Sequence, residues 1–188
     1  MSAESVKPPS REGDAATARR APDAMPTLTC AVDGCVLGYW KRVLIGVWAI
    51  PSSMELVEEQ DALMKQLSAP AKLSSVHLVI KRAPLPAADV REAYQALTQR
   101  YADKIICSAI LIEGDGFWAS AVRAFMTGIE MLQRRMRTKA FGDLESLSAW
   151  VAQSRNAEAS ERIEAEELRG ALEWMLEQPC VRSYRTSS

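Results

Sequence analysis

The sequence predicts an α/β fold in which helices pack on a mixed β-sheet. Short runs of β-branched and aliphatic residues alternate with segments of helical periodicity. The intervening segments are long enough for right-handed crossovers between parallel strands. A hydrophobic content of 48% with 25% charged residues is typical of a chain that buries a core. The predicted order is β-β-α-β-α-β-α-β-α, followed by a C-terminal helix.

The chain is expected to have three regions. Residues 1–27 contain four prolines among small and charged residues, without hydrophobic periodicity, so they are predicted to form a disordered N-terminal tail. The α/β domain is expected over residues 28–153. Residues 154–188 are more polar and are predicted to form an acidic helical extension and tail.

The first two strands are predicted as a hairpin, or as two neighbouring strands, because two apolar runs flank a pair of basic residues. These runs are Cys35–Trp40 and Val43–Ile50. A helix follows, with Ser52 or Ser53 as its N-cap and acidic residues in its early turns.

The remaining segments continue the alternation of strands and helices. They are a strand at 75–81, a helix at 87–102, a strand at 104–113, a helix at 117–133 and an edge-like strand at 138–142. Asp143 is a good N-cap for a short helix after the edge strand. Beyond it, Ile163, Leu168, Leu172 and Met175 share a helical spacing. That last helix could pack on the domain or serve self-association at its surface.

Four segments carry a family resemblance: CVLGYWKRVLIGVW, SVHLVI, IICSAILIEG and KAFGDLESLSAWV. In this order they resemble the STAS-like domains, which include bacterial anti-sigma-factor antagonists. The resemblance covers about residues 29–153 and implies a STAS-like mixed sheet in a bacterial, cytoplasmic, regulatory interaction module without enzymatic activity. Such antagonists carry a phosphorylatable Ser or Thr after the middle strand. The corresponding stretch here, KRAPLPAADV, has no hydroxyl residue, so it cannot be switched in that way.

The loop in EGDGFWAS follows a strand and precedes a helix, which is where backbone N–H groups bind phosphates. Gly114, Asp115 and Gly116 would then contact a nucleotide or another small molecule. However, the carboxylate of Asp115 would repel a phosphate. Bulky Phe117 and Trp118 stand where the backbone should approach a ligand closely. Asp115 is therefore interpreted as a helix cap, and ligand binding is the alternative function.

The helix predicted at 117–133 is apolar around most of its circumference, since Arg123 and Glu130 are its only charged residues. Such a helix is normally covered on both sides. The sheet covers one side, and either the C-terminal helix or a second protein chain must cover the other. Aromatic residues and methionine are enriched in interface cores, which favours self-association or partner binding. The predicted contact residues are Phe117, Trp118, Ala121, Val122, Phe125, Met126 and Ile129.

The sequence provides little support for other functions. The four cysteines form no C-x-x-C pair and His77 is the only histidine, so no metal or cofactor is expected. His77 is interpreted as a structural residue, and Glu113 and Asp115 are weak catalytic candidates at a strand end. The net charge of −1 and the lack of a long apolar run predict a cytoplasmic protein that binds neither nucleic acid nor membranes.

Overall fold

The computed structural model describes residues 25–80, 85–113 and 137–186. In these ranges the chain forms a six-stranded mixed sheet with five α-helices packed on it, which confirms the predicted α/β class. The strands lie in the sheet in the same order as along the chain. Most of the predicted tail lies outside these ranges, and its last residue, Thr27, begins the first strand.

The sheet has an antiparallel part and a parallel part. Its strands are β1 (Thr27–Val32), β2 (Cys35–Trp40), β3 (Val43–Trp48), β4 (Leu73–Val79), β5 (Ile105–Ile112) and β6 (Arg137–Phe141). β1, β2 and β3 are antiparallel neighbours, whereas β3 to β6 run parallel. The predicted hairpin is confirmed by the continuous pairing of β2 with β3. β1 is not among the predicted strands, because this mostly exposed edge strand has no buried apolar run.

Five helices connect or follow the strands in the described ranges. They are α1 (Met54–Ser68), α2 (Ala88–Tyr101), α3 (Leu144–Asn156), α4 (Ala165–Leu176) and α5 (Pro179–Thr186). No helix in these ranges combines the length and the apolar character needed to cross a membrane.

The two predicted helix caps have different outcomes. Asp143 caps α3 as expected, since its Oδ1 accepts a hydrogen bond from Ser146 N at 2.7 Å. Ser53 stands at the N-cap of α1, but its side chain makes no capping hydrogen bond. The hydroxyl of Ser52 instead lies 2.6 Å from Tyr94 Oη. The predicted N-cap position at Ser53 is therefore confirmed, whereas its capping hydrogen bond is not formed.

Each face of the sheet is covered by a different set of helices. Successive side chains of a strand point to opposite faces, so Leu44 lies in one layer and its neighbours Val43 and Ile45 in the other. Leu44 packs with apolar residues of α1 and α2. Val43 and Ile45 share a core with α3 and α4, and Val181 of α5 joins them.

The C-terminal segment is part of this second layer. Ile163, Leu168, Leu172 and Met175 are at most 1% exposed and belong to the same core as β3. Of the two placements that the sequence leaves open, the structure shows packing on the domain. The backbone N–H of Gly34 also donates to the carbonyl of Cys180 at 2.8 Å, which attaches α5 to the β1–β2 turn.

The β2–β3 turn places two basic residues in the left-handed region, with φ of 42° at Lys41 and 59° at Arg42. Two-residue hairpins favour Asn-Gly in this conformation, because most side chains are strained there. Here both side chains are held by contacts. Lys41 Nζ lies 2.9 Å from Glu167 Oε2, and Arg42 Nη1 donates to Leu67 O at 2.8 Å. The turn therefore joins the end of α1 to α4.

We expect Leu172→Ala to lower the free energy of unfolding by about 2–5 kcal/mol, because it leaves a cavity in a fully buried site. Urea unfolding followed by circular dichroism measures this loss. Glu166→Ala on the exposed side of α4 is the control, and it should cost less than about 1 kcal/mol. An equal, small effect of both substitutions would show that α4 is not part of the cooperative core.

Candidate functional site

The carboxyl-terminal ends of the parallel strands form one edge of the sheet, here called the carboxyl edge. Ligands of open α/β sheets bind outside this edge. The segments after β3, β4 and β5 all begin there. The β1–β2 turn is at the same edge, because Ala49 N donates to Gly34 O at 2.8 Å.

The predicted binding residues follow β5 along the chain, and they lie outside the described ranges. They comprise the ligand-binding alternative Gly114, Asp115 and Gly116 and the partner-binding set Phe117, Trp118, Ala121, Val122, Phe125, Met126 and Ile129. Glu113 is the last described residue before them. The chain therefore leaves β5 at the carboxyl edge, immediately before the predicted site.

Glu113 is held in place by backbone and side-chain contacts. Its N–H donates to Val79 O at 3.0 Å. Its carboxylate lies 2.9 Å from the guanidinium of Arg185 in α5, which also approaches Glu177 at 3.8 Å. This ion pair places the cation of Arg185 at the carboxyl edge. It also occupies the carboxylate of Glu113, which the sequence marks as a weak catalytic candidate. No sequence signal points to Arg185, because α5 reaches this edge only through tertiary packing.

A cluster of aromatic side chains fixes His77 near the same edge. Trp48 Nε1 donates to His77 Nδ1 at 3.3 Å, and the two rings stack with centroids 6.2 Å apart. Tyr94 of α2 meets the indole edge-on at 6.1 Å. The hydrogen bond between Tyr94 and Ser52 then links the segment before α1 to α2. The cluster therefore connects β3, β4 and α2.

Gly46 makes room for the indole ring. It pairs with His77 in the β3–β4 register, and a Cβ at Gly46 would lie 2.7 Å from the ring of Trp48. Because glycine has no side chain, the indole ring of Trp48 can pack over Gly46 of its own strand and reach His77. A glycine inside a strand can signal such a close approach, but it does not identify the partner.

The ionisable groups of the cluster are neutral at physiological pH. Burial lowers the pKa of His77 to about 4 and raises the pKa of Tyr94 to about 12. Since Nδ1 of the neutral imidazole accepts from Trp48, the ring proton is assigned to Nε2. A base with a pKa this low is poorly matched to proton transfer near neutral pH. The geometry supports the structural role predicted for His77.

Two exposed apolar side chains belong to the segments that begin at the carboxyl edge. Met54, the first residue of α1, is 42% exposed, and Leu85, shortly before α2, is 56% exposed. Both helices start at the carboxyl edge, so both side chains lie there. The periodicity of α1 places Met54 on its apolar face. Met54 lies in the first turn, at the N-terminal end of this face.

The described ranges contain no group of three or more His, Cys, Asp or Glu side chains arranged to hold a metal ion. The four cysteines are free thiols, and Cys107 is fully buried, as expected for a strand residue.

Comparison with known proteins assigns no function to this edge. No protein-family model, curated protein or solved structure matches the chain. The resemblance to STAS-like domains therefore stays a prediction.

The lowered pKa of His77 predicts that the folded state loses stability as the pH falls. The unfolded chain binds the proton with the ordinary pKa of 6.5, whereas the folded chain binds it only near 4. The contribution of neutral His77 is complete above about pH 6.5 and is lost as the pH falls to about 4, by about 2–3 kcal/mol.

His77→Gln removes this titration, so its unfolding free energy should fall less steeply with acid than that of the wild type. Urea titrations at several pH values measure the difference. Because His77 is the only histidine, NMR of its imidazole gives the pKa directly. A pKa near 6.5 would contradict the desolvation of the imidazole.

Proposed function

We propose that this chain is a non-enzymatic, STAS-like interaction module that binds another protein, or a second copy of itself, at the carboxyl edge. The observation that carries the proposal is the exposure of Met54 and Leu85 at this edge. Along the chain, the apolar segment 117–133 follows β5, which ends at this edge.

The energetics of burial favour this use of the edge. Covering a large apolar side chain contributes about 1.5–3 kcal/mol when it was fully exposed. Met54 and Leu85 are about half exposed, so together they would contribute part of the affinity. Residues 117–133 supply the aromatic side chains that most often dominate an interface.

The charged groups at this edge fit the border of an interface. Glu113, Arg185 and Glu177 form a chain of ion pairs at the same edge, and Arg182 lies 3.7 Å from Glu177. Interfaces commonly have an apolar centre and a polar rim. Rim charges of this kind orient a partner and influence the association rate more than the affinity.

The alternative is a small-molecule or nucleotide site at residues 113–116. The cation of Arg185 beside Glu113 is the observation in its favour, because a guanidinium binds phosphates well. A thermal-shift series with ATP, GTP and NAD tests this alternative. A ligand-dependent rise in the melting temperature would support it, and no response to any of them would contradict nucleotide binding.

We expect Met54→Glu combined with Leu85→Glu to weaken association, because burying two carboxylates opposes contact. Size-exclusion chromatography with light scattering measures self-association, and pull-down from lysate measures partner capture. Met25→Glu is the matched control. Met25 is 51% exposed but precedes β1, at the opposite edge of the sheet. A strictly monomeric wild type that captures no protein would contradict the proposal.

We expect Trp118→Asp to abolish the same association while leaving the far-ultraviolet circular dichroism unchanged. The reason is that a charge would replace the largest apolar side chain of the predicted contact set. Unfolding of this variant would instead show that residue 118 belongs to the core, and would contradict an interface on that side of the helix.

A further inference from the structure

A buried guanidinium lies at the opposite edge of the sheet, in the last turn of α3. Arg155 is 0% exposed, and its Nη2 donates to Glu161 Oε2 at 3.1 Å. Its Nε and Nη1 have no hydrogen-bond partner in the part of the chain that the structure describes. Leaving such donors unmet in a buried cation is costly. Arg155 therefore has three N–H groups available to an acceptor.

Arg155 lines a surface cavity of about 390 Å³ at this edge. Arg42 of the β2–β3 turn and Lys72, just before β4, contribute two more cations to the wall. Glu158 and Glu161, from the segment after α3, contribute two carboxylates. The cavity thus collects charged side chains from three separate parts of the chain.

The positive charges in the wall are only partly neutralised. Arg155 pairs with Glu161, and Lys72 Nζ lies 3.5 Å from Glu158. Arg42 donates to the neutral carbonyl of Leu67, which does not cancel its charge. Among the described residues of the wall, three cations therefore face two carboxylates, and an anion would restore the balance.

Part of the wall is preorganised by a side-chain amide. Asn156 Nδ2 donates to Ile163 O, and Asn156 Oδ1 accepts from Ile163 N, both at 2.9 Å. This pair closes the loop that carries Glu158 and Glu161. Glu161 itself is 47% exposed, so its carboxylate can return to water when it releases Arg155.

We propose that this cavity binds a small oxyanion, the phosphate or carboxylate group of a small molecule, through Arg155, with Arg42 and Lys72 adding positive charge. A guanidinium binds both groups through paired, charge-assisted hydrogen bonds. Glu161 occupies the position of the ligand's oxyanion on Arg155, and the ligand displaces it. This site is separate from the proposed interaction surface, which lies at the other edge.

Isothermal titration calorimetry with inorganic phosphate and with acetate, at constant ionic strength, tests the proposal on the full chain. We expect saturable binding of at least one anion. Tighter binding of phosphate would assign a phosphate group, and tighter binding of acetate would assign a carboxylate. Absence of saturable binding in both the wild type and Glu161→Gln would overturn the proposal.

Three variants identify the binding groups. Arg155→Met should weaken binding at least about tenfold, because it removes charge-assisted hydrogen bonds. Lys72→Ala changes an exposed side chain and should weaken binding severalfold without affecting the fold. Glu161→Gln should strengthen binding, because it removes the competing carboxylate.

Glu92→Gln and Arg100→Met on the exposed surface of α2 are the matched controls and should bind as the wild type does. Binding unchanged in Arg155→Met would show an adventitious ion only. If Arg155→Met does not fold, unchanged binding in both Lys72→Ala and Glu161→Gln would equally overturn the site.

Discussion

The burial of β3 on both faces is the constraint on which the rest of the structure depends. Every residue of this strand is buried, so helices must cover each side of the sheet. Parallel pairing of β3 with β4 and of β4 with β5 requires crossovers, and these supply α1 and α2 on one face. The other face is covered by α3 and by the C-terminal helices. The polar segments and the helix ends are thereby directed to the two edges of the sheet.

The two edges have different chemistry as a result. At the carboxyl edge, the rings of Trp48, His77 and Tyr94 contact one another. Exposed apolar residues lie at the same edge. The opposite edge gathers basic residues from a turn, a strand entry and a helix end. One edge is suited to contact with an apolar surface and the other to contact with an anion. The proposed partner contact and the proposed anion site therefore lie at opposite edges of one domain.

Local sequence patterns predict most of the architecture. The hairpin, the apolar strands and the Asp143 cap are encoded in short stretches, where periodicity and capping chemistry act directly. β1 escapes prediction because an exposed edge strand needs no apolar pattern. The Ser52 contact and the Arg155 cavity also escape it, since each joins residues that only folding brings together. The residues chosen for binding lie between Gly114 and Ile129, beyond the described part of the chain, so their assignment still rests on sequence pattern.

The β2–β3 turn connects stability with chemistry. Lys41 and Arg42 adopt a backbone conformation that would be more relaxed with Asn-Gly, at a cost of order 1 kcal/mol for each residue. Replacing Lys41 and Arg42 with Asn-Gly would remove the ion pair with Glu167 and one cation of the cavity wall. The substitution would relax the turn and lower the positive charge of this edge. The two basic residues thus add charge and a contact with α4 at the cost of a strained turn.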